Sequence, residues 1–178
     1  MVLSCGWLKG GRVAFLALAV VVSVPVLAQD GWVYKEETDK MTSKVNKYAI
    51  LVSTSSLSLS SPYQGQNYAA LRVRQRAGSS PEVMLTITKG QMMCRSFSPC
   101  AIKVRFDDAP PVTFRGVGSS DHDPTVAFIE SESKFIAAAA KAKTILVQTE
   151  IFHNGAPIME FKTSAPLAWG AQQKPKAK

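Results

Sequence analysis

The stretch Gly90–Asp108, GQMMCRSFSPCAIKVRFDD, sets the tightest condition on the fold: two cysteines, Cys94 and Cys100, stand with five residues between them and a strand-like run on each side. Upstream, Val83, Leu85 and Ile87 alternate with Met84, Thr86 and Thr88; downstream, Ile102, Val104 and Phe106 alternate with Lys103 and Arg105. A period of two marks strands with one face toward a core, and the pattern predicts a β-hairpin whose long loop carries the two thiols. A bond between Cys94 and Cys100 would restrict the unfolded chain by roughly 2 kcal/mol on the chain-entropy account. The spacing fits neither the shorter CxxC-type pairs of zinc sites nor the two-residue gap of a thioredoxin-like motif. The pair therefore reads as a structural disulfide, provided the chain reaches an oxidising compartment.

The N-terminus predicts that it does. Lys9 and Arg12 precede an apolar run from Val13 to Val24, followed by Pro25 and the small-residue pattern Val26-Leu27-Ala28, as in a signal peptide cleaved before Gln29. The run is shorter than the roughly 20 residues that span a bilayer, and no second one follows, so no integral membrane segment is expected after cleavage. Cys5 would leave with the leader. The expected organisation is a signal peptide at 1–28, one β-rich domain at 29–170 and a disordered basic tail at 171–178. Of the formal charge of +8, Lys9 and Arg12 belong to the leader and Lys174, Lys176 and Lys178 to the tail, which leaves the body at +3. So modest a charge gives no footprint for nucleic acid, which is not an expected partner.

Along the body, Trp32 and Tyr34 open a first strand, Asn46–Thr54 forms a second, and the serine-rich segment from Ser53 to Gly65 reads as a loop or frayed edge. In Tyr68–Arg76 the alternation places Arg72, Arg74 and Arg76 on one strand face. These three are candidate anion-binding residues, joined by Lys103 and Arg105 if the strands pair; the structural alternative is a solvated face whose long side chains cover apolar surface. Pro110 and Pro111 end the Ile102–Phe106 strand, and Asp107 and Asp108 read as turn residues. A further strand is expected at Val112–Gly116, and Gly116-Val117-Gly118 as part of a flexible loop.

That loop holds Asp121-His122-Asp123, the one cluster with metal or acid/base potential, provided Asp107, Asp108 or His153 joins it in space. As a polar turn before Pro124 it needs no partner. No GxSxG or HExxH occurs, so no catalytic residues, metal ligands or cofactor are assigned. The segment ESESKFIAAAAKAK predicts a helix capped by Ser131 or Ser133, with Phe135, Ala138, Ala139 and Ala142 on its packed face. Strands at Thr144–His153 and Pro157–Thr163 are joined by Asn154-Gly155, a hairpin turn signal. Trp169 is placed to return toward Trp32. The expected class is α+β, mostly β: an antiparallel β-sandwich or partly open barrel with one late α-helix.

Over the body from Trp32 to Trp169, the series WVYKEETDKMT, SPYQGQ, LRVR, GQMMC, CAIKVRFDD and SDHDPTVAFI resembles a group of small exported bacterial proteins of unknown function. It is more distantly similar to the TagO/VasI-type accessory proteins of type VI secretion. The resemblance implies a fold and supplies no catalytic residues. With the leader it sets the expectation of a periplasmic or secreted binding or accessory protein without catalytic activity, contacting an envelope protein or glycan. The alternatives are an envelope-acting hydrolase or metal-dependent enzyme centred on Asp121-His122-Asp123, and an oligomeric structural component or inhibitor.

Overall fold

Residues 31–170 are described by the computed structural model; the expected leader at 1–28 and basic tail at 171–178 lie outside the described residues. Among the described residues there are nine strands and one helix: β1 (Val33–Thr38), β2 (Val45–Val52), β3 (Ala69–Gln75), β4 (Glu82–Ile87), β5 (Cys100–Phe106), β6 (Val112–Gly118), β7 (Val126–Ile129), α1 (Glu132–Ala139), β8 (Thr144–Gln148) and β9 (Ile158–Lys162). The strands form one antiparallel sheet in the order β1-β2-β3-β4-β7-β6-β5-β8-β9. Mostly β with a single late helix is the class the alternating pattern predicts. No helix among the described residues is long and apolar enough to cross a membrane.

The period of two puts Leu71, Val73, Val83, Leu85, Ile102, Val104, Ile129, Ile145 and Val147 on the same concave face, where all are buried. Burial of that face curls the sheet until its edges approach. No ladder joins β1 to β9, but the Thr54 amide donates to the Glu160 carbonyl at 2.8 Å and the Ala168 amide to the Tyr34 hydroxyl at 2.7 Å. Of the two expected architectures, the open curled sheet is the partly open barrel. The segment bearing Trp169 does return to β1, through Tyr34 and Ala168, and Trp169 packs against the core that includes Trp32.

The predicted hairpin of β4 with β5 does not form. β4 pairs with β3 and β7, whereas β5 pairs with β6 and β8. The chain therefore leaves β4, crosses the ends of β7 and β6, and returns through the meander β5-β6-β7, a Greek key. The glycines of β6 explain why the crossing fits. A Cβ on Gly116 would lie 2.6 Å from the Cys100 sulfur, and one on Gly118 2.8 Å from the Arg95 Cα. Gly116-Val117-Gly118 is strand, and not the expected flexible loop: Gly118 lets the crossing backbone lie against it, and Gly116 leaves room for the Cys100 and Ile102 side chains of β5.

Helix α1 carries the chain from β7 to β8 and inserts Phe135 between Phe106 and Phe114, with ring centroids at 5.4 and 5.7 Å in edge-to-face geometry. Phe135, Ala139 and Ala142 are buried as the helical spacing predicts, and Ala138 is half-buried. Its cap differs: Ser131 adopts a left-handed conformation (φ 63°) and makes no side-chain cap bond, and the Phe135 amide reaches the Ser131 carbonyl at 3.1 Å. The β8–β9 connection holds a tight turn in which the Ile151 amide donates to the Gly155 carbonyl at 2.7 Å; positive φ falls on His153 and Gly155.

In the β1–β2 turn, Asp39 accepts the amides of Met41 (2.9 Å) and Thr42 (2.8 Å). The bonds from Thr42, then that from Met41, hold its carboxyl below the usual aspartate range. Because the folded value is depressed, the stabilisation is complete above the ordinary aspartate pKa and is lost as pH falls through the depressed value. In an NMR titration the Met41 and Thr42 amides should move together, with a midpoint below that of an unstructured aspartate, and Asp39→Asn should abolish the transition. A midpoint at the ordinary value would show that the turn does not hold the carboxylate.

Candidate functional site

At one end of the sheet the connections β2–β3, β4–β5, β6–β7 and β8–β9 meet and are tied to each other. The Met92 amide donates to the Pro124 carbonyl, the Met93 amide to Glu150 and the Phe152 amide to Gln91, each at 2.9 Å. Asn67, fully buried, donates to the Lys89 carbonyl at 2.8 Å and accepts the Lys89 amide at 3.0 Å, while the Ser60 amide reaches the Asn154 side chain at 2.7 Å. The β2–β3 connection is the expected loop, and it buries Leu57 and Leu59.

Cys94 and Cys100 are disulfide-bonded, with Cα atoms 4.7 Å apart. Beneath them the Thr149 hydroxyl donates to the Ala101 carbonyl at 3.2 Å and lies 3.9 Å from each sulfur. Between this stapled strap and the β6–β7 loop opens a cleft of about 370 Å³, with Met92 and Cys94 buried at its base and Arg95, Phe97, Ser119, His122 and Asp123 around it. The two most distinctive sequence features thus meet at one cleft, the cysteine-closed strap lining one side through Cys94 and the Asp-His-Asp turn the other through His122 and Asp123.

The carboxylates of that turn point back into their own loop. Asp121 accepts the Ser119 hydroxyl and, at 3.4 Å, the Asp123 amide; the Ser119 bond is the main reason its carboxyl sits below the usual aspartate range. Asp123 accepts the amide and hydroxyl of Thr125 at 2.9 and 2.6 Å. His122 has positive φ (62°). Asp107 lies at the opposite end of the sheet, where it accepts the Lys143 and Thr144 amides at 3.0 and 2.8 Å, and Asp108 pairs with Arg105 beside it at 3.3 Å. His153 packs on Phe152, ring centroids 3.9 Å apart. None of these three lines the cleft. Among the described residues no group of three or more His, Cys, Asp or Glu side chains stands where it could share a metal ion.

Arg72 and Arg74 share the outer face of β3, as the alternation predicts, and Arg76 follows just beyond the strand's end; Lys103 and Arg105 do not join them, because β4, β7 and β6 lie between β3 and β5. Glu82 pairs with two of the three, at 2.7 Å from Arg74 and 3.1 Å from Arg76. The Arg74 guanidinium also lies 6.0 Å from the Phe128 ring centroid, so its stem covers apolar sheet surface. Phe97 is the residue that sequence reasoning passed over. It is 77% exposed at the tip of the strap, and its only signal is an aromatic residue between two cysteines in an otherwise polar turn.

Comparison of the chain with family models, with curated proteins and with solved structures finds no match.

Proposed function

We propose that the chain is an exported, non-catalytic binding or accessory module of the bacterial envelope, of the kind suggested by its resemblance to TagO/VasI-type proteins, and that it engages an envelope protein or glycan at the cleft beside the stapled strap. The observation that carries this reading is Phe97, a large apolar ring held out in water at the mouth of a cleft whose walls are fixed by a disulfide and by backbone bonds. An aromatic residue on a rigid support loses little freedom on binding, which is how aromatic anchors come to dominate recognition surfaces. The carboxylates of Asp121 and Asp123 are used to shape the loop, and Gln91, Arg95 and His122 around the cleft bring a mixture of polar side chains suited to recognition.

The test is expression of the full chain in a Gram-negative host with a photo-crosslinking amino acid at position 97, and at Met41 in the exposed β1–β2 turn as control. Intact mass with and without reductant should show a chain beginning at Gln29 and lacking two hydrogens. Irradiation should give one recurrent envelope adduct from position 97 and none from position 41. A retained leader, free thiols or identical adducts from both positions would overturn the reading.

A further inference from the structure

The outer face of the sheet carries a cross-strand row of unusual composition. By register, Val33 of β1, Ile50 of β2, Arg72 of β3, Met84 of β4, Phe128 of β7 and Val117 of β6 stand directly opposite one another in succession. Five of the six are apolar. Toward the cleft end, the adjacent row continues apolar through Val52, Ala70 and Val126, with Thr86 among them. On the other side lies a charged row whose charges are satisfied: Arg74 pairs with Glu82, and Arg115 holds Glu130 through both carboxylate oxygens at 2.7 and 2.9 Å. Arg72 differs from these. It is exposed in the middle of the apolar row and makes no ion pair among the described residues.

We propose that this face is a docking surface for a second protein that presents one carboxylate within an apolar patch. A guanidinium set in a row of aliphatic and aromatic side chains matches a carboxylate through two parallel hydrogen bonds, and removing water from the surrounding apolar surface strengthens that pair. Arginine and aromatic residues are also the types that interface centres favour. A second copy of this chain fits poorly, because the face's own carboxylates, Glu82 and Glu130, are engaged, so a two-fold contact over the row would bring no free carboxylate to Arg72. A lipid surface also fits poorly: Met84 is only 6% exposed, so the row is recessed, and it offers one unpaired cation where surface attraction to anionic lipid needs several. The proposal does not depend on the cleft.

The probe is the dipeptide acetyl-Asp-Phe-amide, with acetyl-Asn-Phe-amide as its neutral twin, titrated into isotope-labelled chain. Saturable amide shifts are expected at Ile50, Met84 and Phe128. Binding should weaken about tenfold with the neutral twin or in Arg72→Gln, the loss of one charge-assisted pair, while Arg72→Lys should keep part of it. Since Arg72 is exposed, circular dichroism of the variants should match the parent. The proposal fails if no saturable shift occurs, if Arg72→Gln binds equally well, or if the shifts map to the cleft. It fails equally if phosphatidylglycerol vesicles bind this face in place of the peptide, or if sedimentation shows an Arg72-dependent dimer.

Discussion

Gly118→Ala is expected to lower the unfolding free energy by about 3 kcal/mol, the upper end for forcing one extra carbon into a packed site. The added Cβ would meet the Cys94 carbonyl oxygen and stand 2.8 Å from the Arg95 Cα, both backbone atoms. Backbone cannot rotate aside. The strap is anchored by the disulfide and by the bonds from Met92 to Pro124 and from Met93 to Glu150, so relief must come from moving the strap off β6. Gly116→Ala meets the Cys100 sulfur and the Ile102 side chain instead, which can adjust in part. Urea denaturation should therefore rank Gly118→Ala as the more damaging. The reverse order would mean that the strap is free to lift. In the Gly118 variant, crosslinking from position 97 should also fall, since the cleft wall is displaced.

Phe135→Ala should cost about 3–5 kcal/mol, the range for removing a fully buried aromatic ring. The ring is completely buried and stands edge-to-face against both Phe106 and Phe114. Few neighbours can collapse into the space, because the two partner rings are carried by β5 and β6, which are paired to each other in the sheet. Phe135→Leu keeps most of the volume and should lose well under half as much in the same denaturation series. Equal losses for the two variants would show that ring geometry, and not filled volume, holds the helix to the sheet.

The strands and their inward faces were legible because alternation is a local property: Leu71 and Val73, or Ile102 and Val104, declare a face without reference to anything distant. Strand pairing is not local. Nothing in the runs beside Cys94 and Cys100 distinguishes a hairpin from two strands separated by β7 and β6, and the shorter connection was the natural expectation. The glycines at 116 and 118 were the available signal, since glycine inside a strand marks a close backbone approach. Ser131 misled in the same manner: a serine before a helical run suits a side-chain cap, yet its left-handed backbone leaves the hydroxyl out of that role. The cleft was half visible. The cysteine pair and the Asp-His-Asp turn stood out as sequence, but their meeting depends on the Greek-key crossing, and Phe97 acquires meaning only once the strap's tip is seen to point into water.

The two ends of the sheet are unequal: four connections tied together surround the cleft at one, and at the other the β3–β4 link is a bare turn in which Gly78 has no atom within 4 Å of where a side chain would begin. That turn is a natural handle. A dye, a biotin or a surface linkage placed between Ala77 and Ser80 would hold the molecule by its far end with the cleft facing outward, so immobilised copies would share one orientation toward whatever flows past them.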